Sequence, residues 1–219
     1  SEAFQKKPFS GPIGSASSPS PSAQEILRAR NETVPPPLDR ETFEPVAEIE
    51  DIDFSRYTSP DFFQSEMDKI WCKVWQWACR EEHIPEIGDY IVYDIGPYSI
   101  IVVRTEEDKI KAYYNACLHR GTRLCGFSNE GNAEAFVCPY HGWSWHIDGR
   151  LREIPSDWDF AHVQKETYKL PEVQVDTWNG FVFINLDLEA PPLLEYLQVL
   201  PEHFANWNLE DRYISVHVQ

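Results

Sequence analysis

The chain has 219 residues, 42% of them hydrophobic, and a net charge of −17, which fits one large domain or one domain with long extensions. An acidic balance spread along the whole chain argues against nucleic acid, because phosphate binding needs a basic face. No run approaches the ~18 apolar residues of a membrane span. Five cysteines is an odd count without a small disulfide framework, and the first residues carry no apolar segment ahead of a small-residue cleavage site, so a reducing, cytoplasmic setting is expected.

Residues 1 to about 40 are rich in Ser, Pro, Gly and charge and run into "ETVPPPLDR". Such composition buries too little to offset ordering entropy, which predicts a flexible arm. The acidic "FEPVAEIEDIDFSRYTS" reads as extended, so residues 1–54 together form an N-terminal arm. "SPDFFQSEMDKIWCKVW" predicts a helix capped by Ser59 with Pro60 in its first turn, and with Phe63, Met67, Ile70, Trp71 and Val74 as a stripe packed on a sheet. From Trp75 to Asn115 the pattern turns to strands, "WQWAC", "DYIVYDI", "SIIVVRT" and "IKAYYNA", separated by turn material. Further strands are expected in "EVQVDTWNGFVFINLD". Short strands at close spacing without helices between them predict an antiparallel, mainly β domain. "PPLLEYLQVLPEHFANW" reads as one or two short helices, and "RYISVHVQ" as a strand that stops without a terminating signal.

The chemistry is concentrated in residues 117–146, "CLHRGTRLCGFSNEGNAEAFVCPYHGWSWH". Cys117 and His119 form a C-x-H pair, and Cys138 and His141 a C-x-x-H pair, across a spacer of residues 120–137. Two short paired-ligand loops can converge on one metal centre. Zinc would accept two Cys and two His tetrahedrally and serve only to hold the loops. A Rieske [2Fe-2S] cluster takes the same four ligands with both His on one iron. Ligand count alone does not separate the two.

The flanks add to this. "CLHRGTRLC…CPYHGWSWHIDGRL" resembles the Rieske signature of aromatic-ring-hydroxylating, non-heme iron oxygenase α subunits, with a spacer about one residue longer than that family's usual one. "VDTWNGFVFINLD" resembles the strand pair that follows the cluster in those proteins, and residues 60–80 resemble their leading helix. The likeness spans roughly residues 55–215. It implies a mainly β, antiparallel Rieske domain over 55–190 with a cluster-binding subdomain, a leading helix and short C-terminal helices. Residues 191–219 would then lead into a catalytic domain absent from this chain.

Carried over by the resemblance, Cys117 and Cys138 bind one iron of a [2Fe-2S] cluster and His119 and His141 the other. Arg120, Gly121, Tyr140, Gly142 and Trp143 correspond to positions that support the two loops, although turn formation explains the glycines as well, and surface or core roles the others. Cys125 reads as a free packed thiol, because Pro139 and Tyr140 stand where a loop-to-loop disulfide partner would be. His146 reads as a strand residue, and His83, His162, His203 and His217 form no further metal constellation. No oxygen-activating or catalytic residue is assigned. The resemblance implies electrons arriving from a ferredoxin or reductase and passing to a mononuclear Fe(II) in the missing domain, on the same or a neighbouring α subunit of an α3 or α3β3 trimer, for O2-dependent hydroxylation of an aromatic or related substrate. A stand-alone Rieske ferredoxin and a zinc-stabilised module are the alternatives.

Overall fold

The run "SIIVVRT" puts four apolar β-branched residues in succession, where a strand with one wet face would alternate. In the computed structural model, which describes residues 21–36, 39 and 53–215, all four are fully buried. They lie on strand β3 (Tyr98–Glu106), and both of its faces are covered. Ile101 and Val103 point into a core with Tyr113, Trp145 and Leu151, whereas Ile100 and Val102 point into a second core with Ile91, Ala112, Val182 and Ile184.

Around β3 lies a seven-stranded sheet. Its members are β1 (Gln76–Arg80), β2 (Asp89–Ile95), β3, β4 (Lys109–Tyr114), β5 (Glu130–Asn132), β9 (Glu172–Trp178) and β10 (Phe181–Asn185), in the order β1-β10-β9-β4-β3-β2-β5. Every pairing is antiparallel. The β9–β10 hairpin turns through Asn179 and Gly180, at φ of 50° and 79°, the paired positive angles that an Asn-Gly turn supplies at least strain. In a second, three-stranded sheet of β6 (Ala135–Val137), β7 (Ser144–His146) and β8 (Leu151–Glu153), the β6–β7 connection carries Cys138 and His141. Phe136, Trp145 and Leu151 of this sheet share the first core with Ile101, Val103 and Tyr113 of the large sheet. The expected mainly β, antiparallel class is present, with a separate small sheet beside the second Cys-His pair.

The chain divides into two compact units, Ser1–Phe54 and Ser55–Gln219. Within the first, α1 (Ala23–Ala29) carries a complete capping box, Ser22 accepting from Glu25 N–H and Glu25 from Ser22 N–H. Composition predicts a flexible arm there; the "SAQE" capping signal and the Arg28–Asp39 ion pair give local structure to residues 22–36 and 39, the described part of that stretch. The expectations for residues 1–20 and 43–52 lie outside the described residues. Where "FSRYTS" reads as extended, α2 (Ser55–Thr58) makes one helical turn.

The leading helix α3 (Pro60–Glu66) starts as expected, with Pro60 at its first position and Ser59 accepting from Phe62 N–H. It then widens into a π-helical turn, Met67–Trp71, closed by Cys72 N–H on Met67 O at 3.0 Å. A π turn breaks the 3.6-residue register, and the expected stripe does not survive it. Met67 is buried, but Phe63, Ile70 and Trp71 remain 47%, 46% and 40% exposed.

After β10 come α4 (Leu193–Leu197) and α5 (Leu200–His203), with Leu193 and Leu197 buried against Trp75. Among the described residues of the expected final strand, Arg212–Ser215 pair with no strand; 216–219 lie outside the described residues. Side chains hold this segment instead. The Arg80 guanidinium donates to Leu209 O and Arg212 O, and Glu82 accepts from Ile214 N–H.

Candidate metal centre

Two loops leave the sheets and close with the same backbone hydrogen bonds. In the first, Cys117 N–H donates to Thr122 O at 2.8 Å and Gly121 N–H to Cys117 O at 2.8 Å. In the second, Cys138 N–H donates to Trp143 O at 2.8 Å and Gly142 N–H to Cys138 O at 3.1 Å. Each loop therefore begins on a cysteine, carries a histidine, and turns on a glycine four residues later. Gly121 and Gly142 have φ of 74° and 73°, a conformation a β-carbon disfavours. A Cβ on Gly121 would meet nothing, while one on Gly142 would press on Pro155 at 3.2 Å. The glycines serve the turns first.

The loops bring like donors together. Cys117 and Cys138 are both buried, at 1% and 3% exposure, in one core, and the Cys138 thiol is among the groups that raise the pKa of Cys117. The imidazoles of His119 and His141 meet edge to face with ring centroids 4.6 Å apart. Among the described residues no three His, Cys, Asp or Glu side chains converge on a single ion. The arrangement is a sulfur pair beside an imidazole pair.

His119 is half-buried. Its ring stacks on Trp143 at 5.0 Å, nearly parallel, and meets the Phe160 edge at 5.4 Å. Its Nδ1 is buried and has no hydrogen-bond partner. Burial, the nearby His141 and the Arg120 charge all hold its pKa below the ordinary imidazole value, which keeps the ring neutral and a lone pair free for coordination. His141 is exposed and packs against the Tyr140 ring at 3.8 Å. Burial pushes the Cys117 thiol up, and Cys138 adds to this. The His119 backbone N–H and the Trp145 side chain pull it back. Buried thiols of this kind are poor nucleophiles without a cation beside them. With a metal as that cation, two sulfurs and two ring nitrogens are a donor set that fits a two-iron, two-sulfide cluster.

Of the five support positions, Trp143 is buried and stacks on a candidate ligand, whereas Arg120 and Tyr140 are exposed at the loop tips. Cys125 is a free, buried thiol, pushed up to about 11 by burial with Tyr90 opposing. His146 is exposed at the end of β7. One residue that spacing passed over is Asn115. Its Oδ1 accepts from Leu124 and Cys125 N–H, both at 2.9 Å, and its Nδ2 donates to Cys125 O at 2.8 Å and Ser99 Oγ at 3.1 Å. It fastens the return of the first loop to the sheet. An Asn closing a strand before a Cys was the available signal, and turn residues of that kind are common.

Residues 74–166 match the family model of the Rieske [2Fe-2S] domain, and the chain therefore carries a Rieske iron–sulfur domain. That domain is of the kind found in the N-terminal portion of ring-hydroxylating oxygenase α subunits. The benzene 1,2-dioxygenase subunit alpha of Pseudomonas putida is 36% identical over 147 residues, 67% of this chain and 32% of that protein. The glycine betaine monooxygenase oxygenase subunit of Pseudomonas aeruginosa is 32% identical over 164 residues, 73% of this chain and 37% of that protein. Among solved structures, naphthalene 1,2-dioxygenase from Rhodococcus sp. bound to indole superposes with a TM-score of 0.61 at 34% identity, covering 66% of this chain and 33% of that one. The chain spans about a third of the length of these relatives.

Proposed function

We propose that Cys117 and Cys138 bind one iron of a [2Fe-2S] cluster through their thiolates and that His119 and His141 bind the other through their rings. The chain then serves as the electron-entry part of a Rieske oxygenase α subunit. It accepts electrons singly from a ferredoxin or reductase and delivers them to a mononuclear non-heme iron for O2-dependent hydroxylation of an aromatic or related substrate. That iron belongs to a catalytic domain of the same or a neighbouring α subunit in a trimer, α3 or α3β3. The observation that carries the reading is the pairing of donors, thiol beside thiol and imidazole beside imidazole, on two loops closed by the same hydrogen bonds.

When bound, the cluster supplies a one-electron store. The protein's own groups set its surroundings. The buried Cys117 and Cys138 keep water from the sulfur side. Trp143 and Phe160 fix the plane of the His119 ring, so that its unpartnered Nδ1 keeps one direction. His141, exposed beside Tyr140, gives the imidazole side an open edge toward a partner, and its second ring nitrogen can hold or release a proton as charge changes.

Absorption spectroscopy with iron, sulfide and zinc analysis of the purified chain tests the reading. A coloured protein with two irons and two sulfides per chain, taking up one electron on reductive titration, is expected. A colourless protein with stoichiometric zinc overturns it.

A further inference from the structure

Three readily oxidised rings share the core beside the paired loops. Trp143 and Trp145 are buried in it, and Tyr168 packs against it half-buried. Their centroids form a triangle, 6.4 Å from Trp143 to Trp145, 6.2 Å from Trp145 to Tyr168 and 6.4 Å from Trp143 to Tyr168. At one end of this group Trp143 lies nearly parallel on the His119 ring at 5.0 Å. A path of ring contacts therefore leads from a candidate ligand to a tyrosine at the margin of the core.

Where an oxidised ring comes to rest depends on its proton. An indole that has lost an electron is trapped when an acceptor takes its N–H proton. A buried indole N–H ordinarily has such an acceptor, yet Trp145 Nε1 has none. A hole on Trp145 therefore keeps its proton and passes on. A phenol is oxidised readily only when its proton can leave. The Tyr113 hydroxyl, in the same core, is buried without a partner, and so Tyr113 is no resting place. Tyr168 is half-buried, and its hydroxyl is not sealed off in this way.

We propose that Trp143, Trp145 and Tyr168 carry an oxidising equivalent away from the paired ligands and deliver it to Tyr168. The proposal rests on the ligand assignment above and on the O2 chemistry proposed with it, since partly reduced oxygen is the oxidant. Hydrogen peroxide that takes one electron from the reduced cluster becomes hydroxide and a hydroxyl radical. The hydroxyl radical takes an electron from Trp143 and becomes a second hydroxide. Tyr168 refills Trp143, directly or through Trp145, and releases its phenolic proton to water. A thiol in solution then returns a hydrogen atom to the Tyr168 radical, and two thiyl radicals couple to a disulfide. Cys117 and Cys138 are spared the oxidation of their sulfurs.

The test mixes the reduced, cluster-loaded 219-residue chain with hydrogen peroxide, without thiol. Freeze-quenched samples are read by electron paramagnetic resonance, and spin-trapped peptides by mass spectrometry. A tyrosyl radical that narrows with deuterated tyrosine is expected, lost in the Tyr168→Phe variant, with the trapped adduct on Tyr168. A tyrosyl signal unchanged in that variant overturns the proposal. Should the variant fail to fold, the adduct map of the wild-type chain decides alone: adducts confined to the exposed Tyr140 and Trp158 mark a freely diffusing oxidant and overturn it too. A wild-type chain that holds zinc and no cluster overturns both the ligand assignment and the proposal, and metal analysis shows this before peroxide is added.

Discussion

Asn115 uses its side-chain amide to tie the return of the first loop, at Leu124 and Cys125, to Ser99 of β3. Asn115→Ala would strand the buried N–H groups of Leu124 and Cys125, and a cost of about 2–4 kcal/mol is expected from unmade buried donors. A urea unfolding curve checks this, and a loss under ~0.5 kcal/mol would show that water replaces the amide. Asp89 gives a pH-dependent counterpart. Its carboxylate accepts from the Asn132 side chain at 2.9 Å and from Glu86 N–H at 2.8 Å, and these two donors hold its pKa below the ordinary value. A folded pKa below the unfolded one means stability that is present at neutral pH and lost as pH falls through and below about 4. Asp89→Asn should therefore lose less stability than wild type between about pH 6 and pH 3, read as the difference in urea midpoints. Equal losses would remove Asp89 from the acid response. At this scale the sequence is uneven as a guide. Paired Cys and His spacing marks four positions because few other arrangements need it, whereas Asn115 looks like any turn residue until the strand it fastens is known.

The loops and turns depend on glycine for two separable reasons. Gly121 and Gly149 both have positive φ, 74° and 85°, so an alanine at either costs about 1–2 kcal/mol in backbone strain. Only Gly149 lies against a neighbour: a Cβ there would come 2.5 Å from Tyr113 Cε1, while one at Gly121 would meet nothing. Gly149→Ala should lower the thermal midpoint clearly more than Gly121→Ala, and equal shifts would mean that the Tyr113 ring moves aside freely. Elements with strong local signals were legible, notably "DYIVYDI", which forms β2 residue for residue, and the Asn-Gly hairpin. Of the three-residue strands β6, β7 and β8, only His146 of β7 was read as a strand residue, since three residues carry no usable periodicity. The π turn at Met67–Trp71 was also hidden, because the apolar spacing that suggests an α-helical stripe does not reveal where the helix widens.

Across the whole molecule, the division of the core into two faces of one sheet could not be read from the chain. It depends on pairings such as β1 with β10, Gln76 against Ile184, whose partners lie far apart in sequence and share no local pattern. What the sequence did carry was the all-antiparallel class and the two loops, because strand periodicity and ligand spacing are both local. The large sheet and the small one meet over Tyr113 and Trp145. The proposed ligands Cys117 and Cys138 are thus part of the same packed core as the strands, and the loss of metal should be felt throughout that unit. Replacing His141 by Cys should retain iron, lower the reduction potential and flatten its pH dependence, since a thiolate adds negative charge and removes a titratable ring nitrogen; an unchanged potential would take His141 out of the ligand set. The most direct measurement is pulsed electron paramagnetic resonance of the reduced chain, which reads the nitrogens bound to the paramagnetic centre. Two strongly coupled histidine nitrogens are expected, reduced to one in the His119→Cys and His141→Cys variants. A cluster signal without nitrogen coupling, or couplings unchanged by both substitutions, would contradict the assignment of Cys117, His119, Cys138 and His141.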